Sequence, residues 1–168
     1  MILKYHQIVG KNSMDRLDIA LLEHMQQDSQ VPLTSLSEKV GLSPSACHRR
    51  IKALEKGGAI KRYVAELDNR KIGLQLDVFI EIRLTAQTEI SFSAFETAVH
   101  QIDEILECHL MSGEADYRLR VAARDVADYD DIHRNCLARL PGVAAMHSAF
   151  AIRAIKKWSG YPVERLLD

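Results

Sequence analysis

The spacing of apolar positions along the chain changes once, and that change divides it into two regions. The first dozen residues carry no clear period, so residues 1–13 are read as a loose N-terminal arm, with Met14 a candidate start. Over residues 15–27, Leu17, Ala20, Leu21 and His24 or Met25 recur at helical spacing, with Asp15 at the positive end of the helix dipole. Asp28-Ser29-Gln30 reads as a turn, and Pro32 leads a second, short helix with Leu33, Leu36 and Val40 as its buried stripe. Ser37, Glu38 and Lys39 are expected on the outside, and Gly41 ends the helix because it tolerates a left-handed conformation. Ser43-Pro44 then supplies an N-cap and a first-turn proline for a third helix that runs to about Lys56 and stops at Gly57-Gly58. Ile51 and Leu54 face its core, while Arg49, Arg50 and Lys52 take the exposed arcs. Residues 59–67 read as a short strand or wing, and Asp68-Asn69-Arg70 as a turn or linker.

Beyond the linker the period becomes two. In residues 76–84, Val78, Ile80, Ile82 and Leu84 point one way and Asp77, Phe79, Glu81 and Arg83 the other. A helix carrying Phe92, Phe95, Val99 and Ile102 follows. Residues 105–111 and 117–123 form a hairpin around Ser112-Gly113-Glu114. Residues 125–140 read as a second helix with Val126, Tyr129, Ile132 or His133, Cys136, Leu137 and Leu140 inward. Pro141-Gly142 breaks it, and residues 143–155 form a final strand.

The expected class is therefore α+β. A winged helix-turn-helix domain (14–58) is followed by a linker strand and hinge (59–73) and a ferredoxin-like β-α-β-β-α-β sandwich (74–168). Right-handed crossovers place both helices on one sheet face. The other face, with the aromatic Phe79 among charges, needs cover, so a homodimer is expected.

Composition narrows the functional classes. An apolar fraction of 47% and a net charge of −1 describe an ordinary globular chain without a membrane-spanning run or a recognisable signal peptide. Three widely spaced cysteines, Cys47, Cys108 and Cys136, suggest no disulfide framework, so a cytoplasmic protein is expected. The distribution of charge is more informative than its sum. Residues 43–62 hold Arg49, Arg50, Lys52, Lys56, Lys61 and Arg62 against Glu55 alone, whereas the chain from Lys71 onward is net acidic. A basic island ahead of an acidic remainder fits a DNA-touching segment attached to one that does not touch DNA.

Two short helices joined by Gly41-Leu42-Ser43 have helix-turn-helix spacing, with Leu42 buried in the turn. Ser43 caps the second of these helices, and Ser45, Ala46 and His48 lie in its first two turns, where base contacts concentrate; all four are read as DNA-binding. Arg49, Arg50 and Lys52 reach phosphates or guanine edges. Cys47 on the same helix is read as a small packing residue rather than a thiol switch. The pairs His133/Cys136 and Glu107/His109 lack further ligands at characteristic spacing, so no metal is expected. No nucleophile motif, phosphate loop or dinucleotide fingerprint is present, and the protein is not read as an enzyme.

The string Val40-Gly41-Leu42-Ser43-Pro44-Ser45-Ala46-Cys47-His48-Arg49-Arg50-Ile51-Lys52-Ala53-Leu54-Glu55 resembles the recognition segment of the Lrp/AsnC (leucine-responsive/asparagine-regulator) family of transcription regulators. Residues 58–68 resemble that family's linker strand, and Met14-Asp15-Arg16-Leu17-Asp18 its usual opening. Ser112-Gly113-Glu114-Ala115-Asp116-Tyr117-Arg118-Leu119-Arg120-Val121, followed by Leu140-Pro141-Gly142-Val143, resembles its second hallmark, so the likeness runs from about Met14 to the C-terminus. The resemblance implies a regulator of double-stranded DNA that senses a small amino acid near the hairpin loop. It implies dimers formed through the linker strand and open sheet face, assembling further, commonly to octamers. It places Met111, Ser112, Gly113, Glu114, Asp116 and Tyr117 around the effector, with His147 and Ser148 as weaker candidates on the last strand. A glycine turn can present backbone amides to an α-carboxylate, and Asp116 or Glu114 can pair with an α-ammonium. Without the resemblance, a structural account is the better one: Gly113 permits the turn, and Asp116 and Tyr117 hold the hairpin. Met111, His109 and Ala115 do not single out one amino acid. No cofactor is expected beyond that effector. The competing readings are a ligand-independent DNA-architectural protein and, less favoured, a ferredoxin-like metabolic sensor or enzyme.

Overall fold

A computed structural model describes residues 14–167, with side chains to Leu166. The arm expected at residues 1–13 lies outside the described residues. The chain forms two compact units: one comprises the N-terminal region to Ala65 together with the segment from Lys156 onward, the other Glu66–Ile155.

The first unit holds three helices, α1 (Arg16–Gln27), α2 (Leu33–Val40) and α3 (Pro44–Lys56). Asp15 caps α1: its carboxylate accepts from the amides of Leu17 and Asp18, while Asp18 accepts from the Asp15 amide in return. Gly41 ends α2 at φ 67°, and the Leu42 amide donates back to the Ser37 carbonyl at 2.9 Å. That turn sets α3 across α2. Leu21, Leu36, Cys47, Ile51 and Leu54 form the buried core, with Leu42 packed against it. Ser37 departs from expectation: it is buried, and its hydroxyl is satisfied by donating to the Thr34 carbonyl at 2.7 Å.

Residues 59–67 form no strand within this chain. Their first amides, those of Ala59 and Ile60, turn back onto the Leu54 carbonyl at 3.0 and 3.2 Å. A strand exists only against a neighbouring edge, and no strand among the described residues pairs with this segment. Val64 and Leu67 are consequently exposed.

The second unit is one antiparallel sheet of order β2-β3-β1-β4 with two helices: β1 (Leu76–Leu84), α4 (Glu89–Val99), β2 (Ile105–Leu110), β3 (Tyr117–Ala123), α5 (Val126–Asn135) and β4 (Val143–Phe150). Register follows the alternation of the sequence. Val78, Ile80 and Ile82 pair with Val121, Leu119 and Tyr117 on the face that packs with Phe95, Val99, Tyr129, Leu137 and Leu140. Each large side chain so buried contributes roughly 1.5–3 kcal/mol. On the opposite face, Phe79 and Glu81 pair with Arg120 and Arg118 on β3 and with Ala149 and His147 on β4.

Three boundaries move. The second helix stops at Asn135, where Cys136 (φ −116°, ψ −65°) leaves helical geometry and a single 3-10 turn, Leu137–Arg139, still buries Leu137. Val126 sits at its exposed start rather than inward. The last strand ends at Phe150, not residue 155, because β4 pairs only with β1 and Val78 is already opposite Phe150; the Ala151 amide makes a final bond to the Asp77 carbonyl. The chain from Lys156 onward then joins the first unit instead of completing the second, as the 74–168 division had it. Among the described residues no helix is long and apolar enough to cross a membrane.

Candidate nucleic-acid interface and effector loop

The Ser43 side chain caps α3 by accepting from the Ala46 amide at 3.3 Å, and its hydroxyl is also 3.2 Å from that of Ser45. With Cys47, Ile51 and Leu54 turned into the core, helical geometry puts Ser45, His48, Arg49, Lys52 and Lys56 on one exposed face. Ala46 is half-buried at its edge. This is a capped helix N-terminus, with the Ser45 amide unspent in its first turn, followed by cations along the same face. Among the described residues Arg49, Lys56, Lys61 and Arg62 form no ion pair. Lys52 donates to Glu55 at 2.7 Å, and Glu55 also accepts from the Tyr63 hydroxyl at 2.9 Å; together they hold its carboxyl below the usual range.

Arg50 does not belong to that face. Its Nη1 lies 2.8 Å from Asp18 Oδ1 and 2.9 Å from Asp15 Oδ2, and its side chain is only 28% exposed. The guanidinium is spent on the cap of α1, which corrects its placement on an exposed, DNA-facing arc. The reason is tertiary: three-helix packing brings the start of α1 beside the middle of α3. Cys47 is fully buried and burial raises its thiol pKa, so it packs beneath α3.

In the second unit, the loop between β2 and β3 closes with the Met111 amide on the Asp116 carbonyl at 2.9 Å and Gly113 at φ 145°, where a side chain is strained. A cleft of about 260 Å³ opens there, lined by Glu81, Met111, Ser112, Gly113, Glu114, Ala115 and Arg118. A neighbouring one of about 360 Å³ shares Met111 and Arg118 and extends over Phe79, Glu107 and His109. The Arg118 guanidinium sits 4.8 Å above the Phe79 ring. Arg118 and Glu81 are cross-strand partners, so the cleft has one cation and two anions, Glu81 and Glu114, among its lining groups. That is a combination able to take a zwitterion.

Several expected effector residues lie elsewhere. Asp116 is buried, and its two oxygens accept from the Leu84 amide and the Gln87 side chain, both at 2.7 Å. It splices the hairpin to the end of β1 and is not available to an ammonium group. Tyr117 is a core ring, 4.5 Å from Phe95, whose hydroxyl donates to Glu96 at 2.8 Å; burial and that carboxylate raise its pKa. Ser148 is bonded to the Tyr129 hydroxyl on the helix side of β4, whereas His147 is on the open face opposite Glu81. Met111, Ser112, Gly113 and Glu114 do line the cleft. Glu81 and Arg118, which line it too, were not among the expected residues. Their outward phase was legible in the strand alternation, but the register that sets them beside the loop was not. Among the described residues no cluster of three ligating side chains could hold a metal ion.

Comparison with known proteins finds a family model in each half of the chain. An AsnC-type helix-turn-helix domain matches residues 14–55, and an Lrp/AsnC ligand binding domain matches residues 77–160. The leucine-responsive regulatory protein of Escherichia coli K12 is 37% identical over 148 residues, covering 88% of this chain and 90% of that protein. The Bkd operon transcriptional regulator of Pseudomonas aeruginosa is 34% identical, covering 89% and 98%. A Neisseria meningitidis transcriptional regulator solved in complex with L-Met superposes with a TM-score of 0.86 at 31% identity, covering 91% of this chain and 99% of that one. An AsnC family transcriptional regulator from Agrobacterium tumefaciens gives 0.85 at 37%, covering 90% and 99%. With the capped recognition helix, the four-stranded sheet and these matches together, the chain belongs to the Lrp/AsnC family of transcription regulators.

Proposed function

We propose that this protein regulates transcription by binding specific double-stranded DNA sites through the exposed face of α3, and that a small amino acid at the β2–β3 loop tunes its DNA affinity or assembly. The observation that carries the reading is the single exposed face on which the Ser43-capped N-terminus, Ser45, His48, Arg49, Lys52 and Lys56 follow one another. A helix N-terminus entering the major groove puts short polar side chains near base edges and cations near phosphates.

For the effector, Arg118 would hold the α-carboxylate, the Gly113 loop would add backbone amides, and Glu81 or Glu114 would face the α-ammonium. The Neisseria regulator's complex with L-Met supports an amino acid as the ligand class for this cleft. The open sheet face around Phe79 and the exposed Val64 and Leu67 support a homodimer, from which octamers are the expected further assembly. The free cysteines fit a reducing cytoplasm. An effector shifts DNA binding only if it binds two states with different affinity.

The test joins a thermal-shift screen against the common amino acids with DNA-binding and sizing measurements at several concentrations of each hit. A ligand that raises the melting temperature should also change DNA affinity or oligomer size. Salt-sensitive DNA binding that no amino acid alters would leave regulation by DNA binding and remove the effector.

A further inference from the structure

Between Asp131 and Glu164 the chain carries no acidic residue, and its last stretch holds the adjacent pair Lys156-Lys157 beside the protein's one tryptophan, Trp158. This stretch is packed on the helix-turn-helix unit. The Tyr161 amide donates to Gln26 Oε1 at 2.7 Å, and Gln26 Nε2 donates to the Tyr161 carbonyl at 3.1 Å, so one α1 side chain grips both polar groups of one backbone residue. Gly160 approaches so closely, at φ 105°, that a Cβ there would lie 2.7 Å from Gln26 Oε1. Val163 is buried at the start of a 3-10 turn that packs on α1.

From these observations we propose that residues 156–166 form a strap belonging to the DNA-binding unit, and that Lys156 and Lys157 on it contact the phosphate backbone of duplex DNA. The proposal rests on the DNA-binding reading above. Both lysines are exposed and, among the described residues, neither forms an ion pair, whereas Glu164 and Arg165 offset one another in charge. A lysine suits a phosphate contact because its ammonium acts as a point charge on a flexible stem and needs no fixed geometry. Docking matters because a free tail would lose its chain entropy on meeting DNA, whereas a strap already held at Tyr161 and Val163 has given up part of it on folding. Contacts of this kind add affinity and fix register without reading sequence. They would add phosphate contacts to those of α3 from a segment about a hundred residues further along the chain, held on α1.

The experiment measures affinity of the full chain for sheared mixed-sequence duplex DNA against salt concentration. Replacing both lysines, Lys156→Gln with Lys157→Gln, should flatten the log–log slope by about 1.8, at about 0.9 per lost contact, with the melting temperature unchanged. Gln26→Ala and Gly160→Leu keep every charge but release the strap; Trp158 anisotropy should fall and the slope should flatten in both. Arg134→Gln, a charge removed from the other unit, should leave the slope alone. A double-lysine variant with the wild-type slope overturns the proposal. Release of Trp158 with an unchanged slope overturns the role of docking. Absence of DNA binding by the wild-type chain would overturn the DNA-binding reading and the strap with it.

Discussion

Arg50 of the recognition helix and Asp18 of α1 meet at 2.8 Å, and the same guanidinium nitrogen reaches the capping residue Asp15. The cap of the first helix is thus also the clamp of the third. The pairing with Asp18, and then with Asp15, holds the Arg50 guanidinium pKa above its ordinary value.

Arg49 and Arg50 should therefore separate in function. Arg50→Ala is expected to cost on the order of 1–2 kcal/mol of stability, in the range of partly buried charge-assisted hydrogen bonds, and to leave the salt slope of DNA binding nearly unchanged. Arg49→Ala should leave stability alone and flatten that slope by about 0.9. Chemical denaturation and salt-dependent binding of the two variants check this; equal slope losses would return Arg50 to the DNA face.

Acid should loosen the same clamp. The Asp15 carboxyl is held below its usual range, chiefly by the Asp18 amide and also by Arg50 and the Leu17 amide. Its folded pKa is depressed, so its contribution is fully present above the unfolded value of about 3.9 and is lost as pH falls through the folded value. Asp15→Asn, which keeps a competent cap, should flatten the fall of stability with pH below about 4. Denaturant midpoints measured across that range for both proteins decide it.

The buried Asp116 should behave as a structural residue. Asp116→Ala leaves the Leu84 amide without its acceptor inside the second unit, a loss of about 1–3 kcal/mol. Asp116→Asn, with one carbonyl oxygen kept, should lose less. Thermal melts rank the pair, and an Asp116→Ala protein as stable as the wild type would contradict the splice.

Arg118 should carry the effector. Arg118→Gln is expected to abolish the melting-temperature rise given by any amino acid while leaving effector-free DNA affinity within about twofold, a change of roughly 0.4 kcal/mol or less. If the ligand-induced shift survives in full, the carboxylate is held elsewhere.

The three N-terminal helices, their stops and the strand phases were legible because each depends on residues a few positions apart. Asp15 and Ser43 accept from amides of the turn they open, Gly41 donates to a carbonyl of the turn it closes, and the alternation from Val78 to Leu84 states which side of a strand is wet. The wing at 59–67 was not, since a strand needs an edge that local pattern cannot supply. The effector loop was half legible. Ser112-Gly113-Glu114 announces a turn, but whether Asp116 faces ligand or core is settled by the Leu84 amide, 32 positions away.

By itself the sequence determined local conformation and chemical type: a capped basic helix, an alternating sheet and a glycine loop. Only the tertiary structure decided partners. Arg50 met Asp18 across 32 positions, and Gln26 met Tyr161 across 135. A side chain's charge and reach are properties of the residue, whereas the group that satisfies it is chosen by packing, and packing is set by the whole chain at once.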